Sequence, residues 1–189
     1  DGTLTVVIGD ATGHGMKAGT MVTTTKSLFS SHASNPDILF TFQEITRCIK
    51  YMNMQMLSMC LAILKIQGNK MQISAAGMPP ALLYRSKTKT IEEIILKGMP
   101  LGAVQDFPYE LRHTEIYPGD TLLLMSDGLP EMFNKDKELF GYDKVIETYQ
   151  KAADKNPEEI IIELKNAGSE WSQSETPDDD VTFVVIKVK

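Results

Sequence analysis

The stretch VVIGDATGHGMKAGTM, residues 6–21, is an apolar run that ends at Gly9-Asp10 and passes through four glycines and a histidine into a helical pattern. Three readings compete: a nucleotide-binding glycine loop, a metal site built on a carboxylate at a strand end, and a tight turn without chemistry. The first would make the fold an alternating βαβ one, so this stretch decides the architecture. Gly13-His14-Gly15-Met16-Lys17-Ala18 fits the dinucleotide pattern G-x-G-x-x-[GA] between a strand and a helix. Its surroundings do not fit. The next element is a second helix, and no strand-end acid follows about 20 residues on. No glycine is followed four residues later by Gly-Lys-Ser/Thr, so the phosphate loop is absent too.

The pattern along the chain agrees. Residues 3–9 are a predicted strand. Residues 16–31 are a predicted helix with Ala18, Met21, Val22, Thr25 and Phe29 on one face. A second helix is expected to start at Asn35-Pro36, as N-cap and first helical residue, with Ile38, Phe42, Ile45, Ile49 and Met52 at helical spacing. Strands follow in series. Residues 60–66 turn at Gly68-Asn69 into 71–76. Residues 81–85 and 91–95 come next, with Lys87-Thr88-Lys89 as a hairpin tip. Residues 110–117 are expected to meet 121–125 across Pro118-Gly119-Asp120. Helices return at about 141–153 and 157–171, the latter opened by Asn156-Pro157-Glu158-Glu159 and carrying Ile160, Leu164, Ala167 and Trp171 on one face. A strand over 181–188 closes the chain. Paired helices and a strand meander predict an α+β fold, with antiparallel sheets covered by helices.

The 189 residues suit a single domain, 1–189, with 42% hydrophobic and 23% charged residues. No run approaches the roughly 20 apolar residues that span a bilayer, and no signal peptide opens the chain, so a soluble, cytoplasmic domain without membrane contact is expected. The formal charge of −6 speaks against a nucleic-acid partner. Cys48 and Cys60 lack CxxC spacing and are expected to be buried thiols in a reducing compartment. His14, His32 and His113 are too scattered for a zinc set. Asp1-Gly2 is a turn signal that normally joins two hairpin strands. A preceding strand is therefore expected outside this chain, in a longer protein.

The metal reading gains from two further strand ends. Asp127 follows the apolar run 121–125 and precedes a glycine, and Asp178, Asp179 and Asp180 precede the last strand. If these strands are neighbours, Asp10, Asp127 and Asp179 converge at one sheet end. Such convergence costs several kcal/mol unless a cation or protons neutralise it. Hard divalent cations in octahedral oxygen coordination meet that need. Gly9, Gly13, Gly15 and Gly128 would leave room for carbonyls, water and an anion. Taken singly, each segment is equally a common turn or a solvated loop.

Together GDATGHG (9–15), MSDGLPE (125–131) and DDDVT (178–182) resemble the signature segments of metal-dependent serine/threonine phosphatases of the 2C type, in the bacterial branch of stage II sporulation protein E and RsbU-like regulators. SAAGMPPALLYR (74–85), KGMPLGAV (97–104), IYPGDTLLLMSDG (116–128) and FGYDKV (140–145) match in order between them. The resemblance implies a four-layer α-β-β-α sandwich with two Mn²⁺ or Mg²⁺ ions at one edge. It implies Asp10 bridging both metals, the Ala11 backbone carbonyl on one, Asp127 and Asp179 at the remaining positions, and Asp180 beside them; His14 takes no catalytic role. The implied chemistry is hydrolysis of phosphoserine or phosphothreonine by a metal-activated water, without a phosphoenzyme.

In that family a first motif, a strand with a further metal-site Asp, falls before Asp1. Residues 53–63 are shorter than the family's connection, and Met78 stands where relatives commonly have His or Asn. The resemblance implies the catalytic domain of a sensor protein that dephosphorylates a STAS-type anti-sigma-factor antagonist in a partner-switching pathway. The rival is a catalytically silent 2C-like domain that binds a regulatory partner. Helix 157–171 could form a homodimer, although its apolar face reads as core.

Overall fold

Among the residues that the computed structural model describes (2–53, 57–173 and 179–189), eight strands and four helices follow one another. They are β1 (Leu4–Ala11), α1 (Gly15–His32), α2 (Ile38–Tyr51), β2 (Met59–Gln67), β3 (Lys70–Ala76), β4 (Ala81–Arg85), β5 (Thr90–Ile94), β6 (Arg112–Glu115), β7 (Thr121–Met125), α3 (Gly141–Ala152), α4 (Pro157–Ser172) and β8 (Phe183–Lys187). The turn residue Asp1, part of the short 53–63 connection, most of the loop before Asp179, and Asp178 itself lie outside the described residues. The chain divides into one unit of Asp1–Met78 with Leu96–Glu115 and another of Pro79–Ile95 with Ile116–Lys189. No helix of the described residues is long and apolar enough to cross a membrane.

The first unit is an antiparallel sheet, β1-β2-β3-β6, with α1 and α2. Its core joins Met21 of α1 and Phe42, Ile45 and Ile49 of α2 to Leu61, Ile63 and Ala76 of the sheet. The β2–β3 hairpin turns through Gly68 and Asn69 as its sequence predicts, with Gln67 opposite Lys70 and Gly68 at φ 60°. The expected start of α2 is corrected. Asp37 is the N-cap, its carboxylate accepting from Phe40 N at 3.0 Å, while Asn35 is engaged by Asp37 N at 2.9 Å in a turn ahead of the helix. In α1 only Met21 and Thr25 are buried, and Val22, expected on the apolar face, is 45% exposed. Cys48 and Cys60 are half-buried rather than buried.

The second unit carries β5-β4-β7-β8, also antiparallel, with α3 and α4. Here the expected pairing of 110–117 with 121–125 is overturned. β6 pairs with β3 and β7 pairs with β4 and β8, so Pro118-Gly119-Asp120 leads from one sheet to the other. Burial explains the difference. Every residue of β7 is buried, which calls for a paired neighbour on each side, whereas the charged and short β6 is suited to an edge. Asp120 fixes the bend. Only 2% exposed, its carboxylate accepts from Ser86 N at 3.0 Å, Tyr117 N at 3.2 Å and Arg85 Nη1 at 3.1 Å.

The two helices seat on β7 by polar and apolar contacts. Tyr149 OH donates to Thr121 O at 2.7 Å and Thr121 Oγ1 to Ala153 O at 3.1 Å. Burial pushes the Tyr149 phenol far above its ordinary value, so it stays a neutral donor. The Asn156–Glu159 capping box opens α4, and Ile160 and Leu164 are fully buried against this core, with Ala167 and Trp171 packed on it. The apolar face of α4 is thus core.

Asp120→Ala should destabilise the chain by about 3 kcal/mol, because it leaves Arg85 and two backbone N–H groups short of a partner. Asn156→Ala, which removes only a cap, should cost about 1 kcal/mol. Denaturant unfolding of the two variants measures both.

Candidate metal centre

The sequence-predicted carboxylates fall on both units. Asp10 and Ala11 are the last residues of β1, opposite Cys60 and Met59 of β2. Past them, Thr12 clamps the strand end to Ser58: Thr12 N and Oγ1 donate to Ser58 O at 3.1 and 3.0 Å, and Ser58 N donates to Thr12 Oγ1 at 2.9 Å. Gly13 and Gly15 take φ of 84° and 72°, which lets the chain turn at once into α1. Gly9 has another role than the one expected. A Cβ there would lie 2.6 Å from Leu61 Cδ1 and 2.8 Å from Cys60 O, so it makes room for the protein's own sheet rather than for a ligand.

Asp127, Asp179 and Asp180 belong to the second unit. β7 and β8 are antiparallel neighbours, so the end of one and the start of the other coincide. Ser126 locks them: its N donates to Thr182 O at 3.1 Å, its Oγ to Asp180 O at 3.0 Å, and Thr182 N donates back to its Oγ at 3.0 Å. Gly128 completes the lock, since a Cβ on it would collide with Asp180 O. As with Gly9, the space is filled by this chain's backbone. The structure therefore brings Asp127 to the 179–182 segment, as the sequence predicts. It does not make β1 a neighbour of β7 or β8, which lie in the other sheet.

The turn after Asp127 is anchored from below. Glu131 N donates to Asp127 O at 2.9 Å and Gly141 N to Pro130 O at 2.8 Å, while Leu129 and Met132 sink into the core of the unit. Gly168 of α4 admits Leu129, whose Cδ1 would lie 2.8 Å from a Cβ at that position. Held this way, Asp127 has one carboxylate oxygen, Oδ1, that is buried and meets no hydrogen-bond donor of the described residues. A buried carboxylate oxygen without a donor is unfavourable by several kcal/mol unless a cation or proton reaches it.

Nearby Tyr142 reports the same field. Burial first, then the negative charges of Glu131 and Asp127, hold its phenol above the ordinary tyrosine value. Asp179 and Asp180 are exposed, and Asp179 Oδ1 accepts from Asp180 N at 2.8 Å. Among the described residues no three His, Cys, Asp or Glu side chains form a ready cluster. The donor set at this end is made of oxygens, which suits a hard divalent cation, and the orphaned Oδ1 of Asp127 fits one. Sequence reasoning named Asp127; it did not single out Ser126 or Tyr142, since a serine before Asp-Gly and a tyrosine at a helix start carry no pattern of their own.

Comparison with known proteins places these features in a family. The family model of stage II sporulation protein E (SpoIIE) matches residues 1–189. Stage II sporulation protein E of Bacillus subtilis (strain 168) is 23% identical over 128 residues, which are 68% of this chain and 15% of that protein. Phosphoserine phosphatase RsbU of the same organism is 29% identical over 75 residues, 40% of this chain and 22% of that one. The matched stretches are thus less than a quarter of either relative's length. Among solved structures, the SiaA-PP2C domain of Pseudomonas aeruginosa superposes with a TM-score of 0.82 at 16% identity, covering 100% of this chain and 81% of that one. RsbX in complex with magnesium gives a TM-score of 0.69 at 18% identity, over 98% and 81% of the two chains. These likenesses show that the fold is that of the phosphatase 2C domain, the α+β sandwich that the sequence predicts.

Gly128→Ala should force the Asp180 peptide away from β7 and destabilise the chain by about 1–3 kcal/mol. Denaturant unfolding measures the loss, and a stability equal to that of the parent would mean that the Gly128–Asp180 approach is not a constraint.

Proposed function

The chain belongs to the stage II sporulation protein E family, and on that premise we propose that it is a catalytic domain that hydrolyses phosphoserine or phosphothreonine on a regulatory protein with the help of divalent cations. The observation that carries this reading is the buried, donorless Oδ1 of Asp127, at a strand end otherwise built with its polar atoms paired. Asp127 and Asp179 would hold cations of the Mn²⁺ or Mg²⁺ type, together with Asp10 and the Ala11 carbonyl; Asp180 stands beside them. Two ions are the number that the motif resemblance implies. Such ions supply an acidified water as nucleophile and neutralise the phosphoryl oxygens.

The chain's own part is positional. Ser126 and Gly128 tie the backbone on either side of Asp127 closely to the 179–182 segment. Thr12 and Ser58 keep the end of β1, with Asp10 and Ala11, from fraying.

A phosphoserine-bearing STAS-type protein of a partner-switching pathway is the substrate we propose. Two similar proteins support it: one relative is a phosphoserine phosphatase, and one solved structure contains RsbU and RsbW domains. The domain would act inside the cell.

Hydrolysis of a phosphoserine peptide, followed against Mn²⁺ concentration, tests the reading. Turnover should saturate with Mn²⁺, vanish with a chelator, and fall about 100-fold or more in Asp127→Asn. Turnover indifferent to both would sink the two-metal reading. A folded chain that binds a phosphorylated partner and never turns it over would point to the silent 2C-like domain instead.

A further inference from the structure

The face of the first sheet that meets α1 and α2 changes character along its length. Near the Asp10 end its register rows are mostly apolar: Gly9 opposite Leu61 and then Ala76, and Val7 opposite Ile63 and then Ser74, whose buried hydroxyl donates to Glu110 O. The next row across all four strands is Thr5, Lys65, Gln72 and His113, entirely polar. Residues opposite one another in register share a face, so this is one continuous polar strip. It lies where α1 has ended and α2 has not begun, and there the two helices leave a cleft of about 780 Å³. That volume is in the range of small-molecule sites.

Lys65 makes the cleft unusual. It is 5% exposed, and its ammonium donates to Ala33 O at 2.6 Å and Thr5 Oγ1 at 3.2 Å, both uncharged acceptors. Among the described residues no carboxylate pairs with it, and burial alone pushes its ammonium below the ordinary lysine value. Buried charges are normally paired, because desolvation of an ammonium costs several kcal/mol. Ala33 is the C-cap of α1, whose dipole supplies only about half a negative charge. Lys70 and His113 also line the cleft, Gln67 and Gln72 add amide groups, and none of the described lining residues is acidic. Glu115, opposite Lys70 on β6, is not among the lining residues. In a chain of net charge −6 this is a locally basic hollow.

We propose that this cleft is a binding site for a small phosphorylated molecule, whose anionic group completes the charge of Lys65 with Lys70 and His113 at the rim. Lysine is suited to phosphate as a compact point charge with three donors, and two of those of Lys65 are accounted for on the protein side. Thr5 and Asp10 are five positions apart on β1, about 17 Å at strand rise, so the site is separate from the candidate metal centre and does not rest on the phosphatase reading.

The test is calorimetric titration of the chain with pyrophosphate, ATP and citrate at low salt, in the presence of a chelator so that no divalent cation recruits anions elsewhere. Pyrophosphate or ATP should bind with a dissociation constant below about 1 mM. Lys65→Met should weaken that binding at least about tenfold. Should Lys65→Met fail to fold, as judged by its melting curve, the exposed pair Lys70→Ala with His113→Ala provides the second test and should weaken binding about threefold or more. Asp127→Asn should leave it unchanged. Absence of saturable binding, binding that ignores the lysine and histidine variants, or a preference for citrate over both phosphorylated compounds would each overturn the proposal.

Discussion

Gly128 sits so close to the Asp180 carbonyl that no side chain could occupy its place, and Ser126 bonds both Asp180 and Thr182 across the same gap. This contact between the end of β7 and the approach to β8 is what the candidate site depends on. It sets the level at which Asp127 leaves the sheet. The turn beyond it is then pinned by Leu129 and Met132 in the core, and α4 must present a glycine, Gly168, to admit Leu129. A carboxylate oxygen buried without a donor is tolerable only on a support this rigid, since a looser turn would swing it out to water.

The first unit uses one sheet for two opposite electrostatic tasks. At the Asp10 end its helix-facing rows are mostly apolar, Ser74 apart, and the strand closes on Thr12 and Ser58. At the other end the rows become polar, and a lysine with no anionic partner among the described residues is retained inside. A separation of about 17 Å exceeds the Debye length at physiological ionic strength, about 8 Å, and keeps the negative and positive ends from cancelling. The polarity gradient along one sheet face is therefore a design consequence of where α1 stops, not of overall composition.

Much of this was legible in the sequence because local chemistry and tertiary structure agree. The Gly68-Asn69 hairpin, the Asn156–Glu159 capping box and the apolar face of α4 each rest on contacts within a few residues. Reading failed where two local solutions competed. Asn35 and Asp37 both can cap, and the helix took the one whose carboxylate reaches Phe40 N. Pro118-Gly119-Asp120 looks like a hairpin turn, but the burial of β7 on both faces sent the strands to different sheets. The glycines at 9 and 128 signalled close approach correctly and misled about what approaches, because only packing reveals that the neighbour is the chain's own backbone.

By itself the sequence determined the α+β class, the family, the nature of the elements and the positions of Asp10 and Asp127 at or just past strand ends, because periodicity, turn chemistry and motif order are properties of neighbouring residues; Asp179 instead lies four residues ahead of β8, which begins at Phe183. Tertiary structure alone decided which strands pair, that β1 belongs to a different sheet from β7 and β8, that Asp127 keeps an oxygen without a donor among the described residues, and that Lys65 is buried beneath the α1–α2 connection. Each of these turns on residues dozens of positions apart meeting at short range. Burial and hydrogen-bond balance select among such meetings, and no local pattern encodes that choice.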